Sequence, residues 1–323
     1  MSTVGLLGPA RVVVRQHRLT LWIIGGLAVV GIAAAVATAL WTASVSGTFA
    51  GTDCSVENTV RGCGVTVRHF LGAELRLSHA VDYAGLVMML LPAFIGMFVA
   101  GPLIARELEN GTYRLSWSQS LSPARWLAAK LAVPVVLILA GVSVLSAVSA
   151  WVWSRAETTH YPKNWYERDV YGAMGTVPVG YALLMLALGA LAGLLLRRTV
   201  SATVVTVIGY GALVMAMNSV RNSLWPTLTA TSRVADGHRF PEGVADAGQG
   251  WLTSGGERLS ADVCRTAADL ESCLADKDIT RSYLDYHPAS HFWPLQLVET
   301  GILLALAALA IALSFRVLRR RHG

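Results

Sequence analysis

The segment "MGTVPVGYALLMLALGALAGLLLRRTVSATVVTVIGYGALVMAMNSV", residues 174–220, contains two apolar runs that are separated by only three residues. The runs, Met174–Leu196 and Val200–Val220, carry no charged side chain. Each has the roughly 20 residues that a helix needs to cross a hydrocarbon core about 30 Å thick. Because so short a connection joins antiparallel helices, the segment predicts a transmembrane helical hairpin that turns at Arg197 and Arg198.

The rest of the chain has the same character. Of its 323 residues 54% are hydrophobic and only 14% are charged, whereas soluble domains have about 25% charged residues. The sequence therefore predicts an all-α integral membrane protein with six transmembrane helices, forming a single domain over residues 1–323. The four further runs that are long enough to span a membrane are Leu21–Leu40, Ala84–Ala105, Leu131–Trp153 and Leu295–Phe315.

Basic residues are distributed unevenly between the connections. Half of the 26 Lys and Arg residues lie in four places: before the first run, in 105–130, in 197–199 and after the last run. Only two acids, Glu107 and Glu109, accompany them. The positive-inside rule assigns these segments and both termini to the cytoplasm. Topology and attraction to anionic lipid explain the basic excess, so we expect no binding of nucleic acid.

The N-terminal segment carries Arg11, Arg15 and Arg18 at helical spacing on one face. This pattern favours an amphipathic helix that lies on the cytoplasmic leaflet. A basic flank of the first transmembrane helix explains the arginines equally well.

All four cysteines lie in connections assigned to the outside, which are the segments near 41–83, 154–173 and 221–294. Disulfides persist in oxidising compartments, so the cysteines support this topology. Four cysteines allow three pairings, and the short separations favour Cys54 with Cys63 and Cys264 with Cys273. We expect 221–294 to form a small disulfide-pinned extracellular cap, in which residues 260–286 have helical spacing.

Two groups of polar residues in the part of the chain assigned to the outside are candidate functional residues. Asp285, His287 and His291 could contribute metal ligands, but their aromatic and proline surroundings favour an interfacial entry into the last helix, and we predict no metal site. Glu299 is the only acid inside an apolar run, which makes it a candidate for a substrate pathway or gate. Asn218 and Gln296 are its possible partners, and a structural carboxylate remains an alternative.

The longest cytoplasmic connection, "ARELENGTYRLSWSQSLSPARWLAAK" at residues 105–130, is a charged segment between two apolar runs. Asn110-Gly111 is a break signal, and Thr112 can cap a new helical turn. The run "RELENGTYRLSWSQSLSPARWLAAKL", 106–131, resembles the connection between the second and third helices in ABC-2-type transporter permeases, notably those of high-GC Gram-positive bacteria. The resemblance rests on RELE, GT, SQ and RWLAAK in combination.

The resemblance implies that this connection forms a coupling helix, which docks on a separate ATPase subunit. The candidate contacts are Arg106, Glu107, Glu109, Gly111, Thr112 and Arg114, and the acids would be offered to basic groups of the partner.

The chain has no GxxxxGK[ST] motif that could hold a nucleotide. We therefore expect no cofactor and no enzyme activity on this chain itself, with ATP and Mg²⁺ bound by two copies of a partner ATPase subunit. The resemblance also implies a second permease copy, or a related permease, in a bacterial cell membrane, and export of a hydrophobic or amphipathic small molecule, lipid or peptide. A membrane-embedded enzyme that uses the outer His, Asp and Glu residues, or a membrane ligand sensor, are the alternatives.

Overall fold

The computed structural model describes residues 18–57, 62–112, 122–234 and 240–322. In these ranges six helices are long and apolar enough to cross a membrane, which confirms the predicted number. The predicted interfacial helix before Arg18 lies outside the described residues, as does most of the connection between the second and third spans. The spans are Trp22–Ala50, Gly64–Glu109, Pro123–Ala156, Val177–Leu196, Thr199–Ser223 and Ala289–Arg320.

The described chain forms two compact units, one within Met1–Val214 and Thr300–Gly323 and the other within Met215–Glu299. The first unit is helical. Its elements are α1 (Arg18–Ala50), α2 (Gly64–Phe94), a π-helix (Ile95–Ala100), α3 (Gly101–Glu109), α4 (Pro123–Ala156), α5 (Arg168–Ala173), α6 (Val177–Leu196), most of α7 (Thr199–Val220) and the larger part of α9 (Phe292–His322).

The second span is one continuous helix of 46 residues made of α2, the π-helix and α3. It is about 69 Å long, more than twice the thickness of a hydrocarbon core of about 30 Å. Pro92 and Pro102, which lack the N–H that an α-helical turn needs, lie on either side of the π-helix at Ile95–Ala100. The change of helix type therefore lies between two prolines.

The prediction of an outer loop over 41–83 is wrong for most of that segment, which is helical. Helix α1 continues to Ala50 and α2 begins at Gly64, so only a short connection remains, closed by the Cys54–Cys63 disulfide with a Cα–Cα distance of 5.6 Å. The start of α2 was not predicted, because charged residues within 64–83 interrupt its apolar pattern. Two of them, Glu74 and Asp82, have ionic partners in residues 160 and 163.

Helix α6 forms the centre of the first unit. Ala182, Leu186, Ala190 and Leu194 pack in its main hydrophobic core, which also takes residues from the π-helix, α3, α4 and α9. By contrast, α1 and α7 expose most of their apolar side chains. Such surfaces suit contact with lipid or with another membrane helix.

Helices α6 and α7 form the hairpin that the sequence predicts. The turn contains Arg197, which has a left-handed backbone (φ 54°), and its N–H donates to the Gly193 carbonyl at 3.1 Å. Glycine usually occupies this capping position. Thr199 begins α7 directly after Arg198.

The second unit contains an antiparallel sheet, so the all-α prediction is wrong there. The strand order is β1-β4-β2-β3, with β1 at Leu228–Arg233, β2 at Ala245–Thr253, β3 at Arg258–Ser260 and β4 at Ile279–His287. The predicted helical spacing over 260–286 holds only for the short α8, Leu270–Asp276. The segment that forms β4, "ITRSYLDYH", is rich in the β-branched and aromatic residues that favour strands.

A disulfide lies in the small hydrophobic core of this unit. Cys264 and Cys273 are joined with a Cα–Cα distance of 5.9 Å, and Cys264 packs with Leu274 and Ile279 in a buried cluster. Both disulfides are therefore local, which is the pairing that the sequence favours.

Candidate functional site

The first candidate site is the place where the end of α3, the start of α4 and the α6–α7 turn meet, and we call it the junction. It comprises residues 105–112, 122–130 and 197–199. Five of the six residues that the resemblance singled out lie in the described part of it, and Arg114 lies outside the described residues. The two acids at the end of α3 determine its geometry.

Glu107 joins α3 to α4. Its Oε2 atom accepts a hydrogen bond from the Trp126 indole Nε1 at 3.2 Å, and its Oε1 atom forms an ion pair with Lys130. Trp126 and Lys130 are four residues apart and share one face of the helix. Because Trp126 is buried and the Lys130 side chain is only 14% exposed, Glu107 is engaged within its own chain.

Glu109 joins α3 to the start of α7. Its Oε2 atom accepts from the Thr199 backbone N–H at 3.0 Å and from the Thr199 hydroxyl at 2.7 Å. The first N–H groups of a helix have no partner inside the helix, and a negative charge there interacts favourably with the helix dipole. A carboxylate from a distant part of the sequence thus caps α7.

The chain turns sharply directly after these acids. Helix α3 ends at Glu109, the Asn110 N–H donates to the Arg106 carbonyl at 3.0 Å, and Gly111 has a φ of +72°. The predicted break at Asn110-Gly111 is confirmed, and Gly111 suits it because a glycine adopts positive φ without a steric penalty. Thr112 donates to the Glu107 carbonyl at 3.4 Å. Its predicted role as the cap of a following turn concerns residues outside the described ranges.

The junction rests on closely packed helices. At Gly189 in α6, an added Cβ would lie 2.4 Å from the Ala100 Cβ, and at Gly193 it would lie 3.1 Å from the Ala105 backbone nitrogen. The backbone of α6 therefore touches the segment that leads into the acids. Since interiors packed this closely transmit displacement rather than absorb it, α3 and the α6–α7 hairpin are expected to move together.

The second candidate site surrounds Glu299 in α9. This carboxylate is fully buried, and the Arg221 guanidinium binds it through two hydrogen bonds, from Nε at 3.0 Å and from Nη2 at 3.1 Å. Arg221 was not predicted as a partner of Glu299, because it lies just past the end of the apolar run Val200–Val220. Gln296 is also fully buried, and the Asn218 Nδ2 atom is buried with no hydrogen-bond partner among the described residues.

The candidate metal ligands Asp285, His287 and His291 do not converge on one point. His287 and His291 bring their Nδ1 atoms within 3.1 Å, and the His287 Nε2 atom donates to the Asn222 carbonyl at 3.0 Å. Asp285 instead accepts from Arg258 at 2.7 Å. Within the described ranges, no group of three or more His, Cys, Asp or Glu residues is arranged to hold a metal ion.

A charged network that the sequence analysis missed links α2 to the α4–α6 connection. His160 donates to the buried Glu74 through its backbone N–H at 3.1 Å, and its ring Nδ1 lies 2.8 Å from the same oxygen. Lys163 lies 2.5 Å from Asp82. Partial burial alone would lower the pKa of Lys163, but its ion pair with Asp82 raises it.

The same network includes a second aspartate, Asp169, whose pKa is shifted. Burial, together with a hydrogen bond to Asp82, raises the pKa of Asp169. Predicting this network would have required knowing that α2 begins near residue 64, because Glu74 and Asp82 then lie on that helix and not in a loop.

Comparison with known families identifies the helical part of the chain. The family model described as "ABC-2 membrane transporter related" matches residues 25–221, more than half of the sequence. The match includes the junction and Arg221 and ends before the sheet. No curated protein and no solved structure matches the chain. The family match and the six candidate spans agree, and the chain belongs to the ABC-2 membrane transporter related family of multi-pass membrane proteins.

Proposed function

We propose that the chain is the permease subunit of an ATP-driven transporter and that a separate ABC ATPase subunit supplies the hydrolysis. Membership of the ABC-2 family is the observation that carries this proposal. Members of such a family typically have no catalytic activity alone. ATP and Mg²⁺ would bind to two ATPase subunits, and two copies of this chain, or one copy with a related permease, would form the pathway.

The proposed orientation puts the junction and both termini in the cytoplasm of a bacterial cell and the disulfides outside. Basic residues before α1, at the junction and at the end of α9 support it through the positive-inside rule. The two disulfides support it through the oxidising environment that they need.

Coupling between ATP hydrolysis and the membrane helices would begin at the junction. A force on residues 105–112 would reach α4 through Glu107 and α7 through Glu109, because each acid bonds to one of those helices. Arg106, Gly111, Thr112 and Arg114 are the proposed contacts with the ATPase. The two acids have partners in their own chain, so their proposed part in coupling is to position the junction.

The proposed cargo is a hydrophobic or amphipathic small molecule, lipid or peptide, and the proposed direction is export. Asn218, Gln296 and Glu299 are candidate pathway or gate residues, since buried polar groups in membrane helices commonly mark such functions. Arg221 joins this group as the partner of Glu299.

The proposal is tested first in the gene neighbourhood of the chain, where a gene for an ABC ATPase is expected, and then by purifying the chain together with that ATPase. Reconstituted in lipid, the complex should hydrolyse ATP at a rate that differs from that of the ATPase alone, and candidate compounds that are transported should change this rate. A Walker-lysine variant of the ATPase serves as the control for background hydrolysis. An ATPase that neither binds the chain nor changes its rate in its presence would refute the proposal.

A further inference from the structure

The described surface of the junction is positively charged. Arg106 at the end of α3, Arg125 in the first turn of α4, and Arg197 and Arg198 in the α6–α7 turn are all exposed. Of the two acids of the same region, Glu107 is partly buried and bonds to Lys130 and Trp126, whereas Glu109 is exposed and bonds to Thr199. The exposed charged groups in the described part of the junction are therefore mainly guanidinium groups.

Glu109 makes the end of α3 and the α6–α7 turn into one surface. It belongs to the first segment and binds Thr199 of the second through two hydrogen bonds. Arg198 is close enough for its charge to stabilise the Glu109 carboxylate. A partner that docks on the end of α3 therefore meets the turn between α6 and α7 as well.

The α6–α7 turn keeps an arginine where backbone geometry favours glycine. Arg197 has a φ of 54°, a left-handed conformation that is sterically unfavourable for a residue with a Cβ. A residue with a Cβ in an unfavourable backbone conformation suggests a use for its side chain. The Arg197 side chain is exposed at the tip of the hairpin.

We propose that the ATPase docks on a bipartite basic surface, formed by Arg106 and by Arg197 with Arg198, and that the matching surface of the ATPase is acidic. The inference rests on the proposed function and specifies the chemistry of its partner. Guanidinium groups form bidentate hydrogen bonds with carboxylates, and complementary charge across an interface speeds association and fixes its register. Glu109 is then a positioning residue that keeps the two halves together.

The test compares two double variants that each remove two arginines from segments assigned to the same side of the membrane. Arg197→Gln with Arg198→Gln changes the proposed surface, and Arg319→Gln with Arg320→Gln near the end of α9 is the matched control. Binding of the purified ATPase is measured with each chain in nanodiscs of zwitterionic lipid, over a range of salt concentrations. Intact disulfides and an unchanged elution volume verify folding.

We expect the turn variant to bind the ATPase about tenfold more weakly and with a smaller dependence on salt, since charges at an interface act on association in this way. The control should bind as the wild type does. Arg106→Gln should weaken binding in the same direction, because it changes the other half of the surface.

Four results would overturn the inference. If both double variants bind the ATPase as the wild type does and lose only their affinity for anionic-lipid vesicles, the arginines serve the membrane. If both variants lose ATPase binding equally, the effect is one of total charge. If the wild type binds the ATPase and the turn variant binds it equally well, this inference fails and the proposed function stands, whereas a wild type that binds no ATPase refutes both.

Discussion

The Arg221–Glu299 pair predicts an asymmetry between two neutralising substitutions. Glu299 is fully buried, whereas the Arg221 side chain retains 17% exposure. In Arg221→Gln the carboxylate stays buried without a cation, and breaking a buried pair in this way costs roughly 3–5 kcal/mol. In Glu299→Gln the guanidinium keeps some access to water and the amide still accepts a hydrogen bond, so we expect a loss of about 1–2 kcal/mol.

These values can be compared by thermal unfolding of the purified chain in detergent. In a large domain each kcal/mol shifts Tm by roughly 2–4 °C. If the lower end of the range applies to Arg221→Gln, its Tm should fall by about 6–12 °C, and the Tm of Glu299→Gln should fall less, by about 2–8 °C. The double variant should recover part of the loss, because it contains neither unpaired charge.

The order of the two single variants decides whether the reasoning is sound. An Arg221→Gln variant that is as stable as Glu299→Gln, or more stable, would show that the buried Glu299 carboxylate does not depend on Arg221. A double variant that adds the two single losses would show that the groups act independently.

Three further predictions concern the first unit. Glu107→Ala should leave ATPase binding largely intact but reduce the stimulation of ATP hydrolysis in the complex, because Lys130 and the start of α4 lose their tie to α3; equal losses of binding and stimulation would instead indicate a direct contact. Gly189→Leu should lower stability by roughly 1–3 kcal/mol or more, since its Cβ alone would come within 2.4 Å of the Ala100 Cβ, and an unchanged Tm would show that α6 does not pack this closely. Because the pKa of Asp169 is raised in the folded chain, the folded state loses stability as the pH rises above the ordinary value of 3.8. Asp169→Asn should therefore raise Tm at pH 7, and this increase should disappear towards pH 4. A change in Tm that does not depend on pH would contradict this account.

The sequence predicted the six helices because a bilayer imposes a length and a composition on every span. It located the ends of those helices less well, and the start of α2 shows why. Glu74 lies in a buried helical position because His160, 86 residues further along the chain, binds it. The residues near Glu74 in the sequence do not include that partner, so the charge of Glu74 argues against a membrane helix at this position.

The sheet and the details of the site escaped prediction for the same reason. Strand β4 acquires its hydrogen bonds from β1 and β2, which lie up to about 60 residues earlier, and its own pattern of buried residues is irregular. Glu107 and Glu109 were found because they are the only acids in their region, but their roles depend on Trp126, Lys130 and Thr199. Composition alone could not reveal that both acids bond to groups of their own chain.

The π-helix at Ile95–Ala100 has a consequence for comparing this chain with its relatives. A π-helical turn bonds residue i to i+5 and so holds one residue more than an α-helical turn. The side chains after Ala100 are therefore rotated relative to those of an uninterrupted α-helix, and the acids at the end of α3 owe their direction to that rotation. A family member that lacks one residue within 95–100 could keep both flanking halves in place with a plain α-helix, and a sequence alignment should allow a single-residue gap there before it assigns equivalents of Glu107 and Glu109.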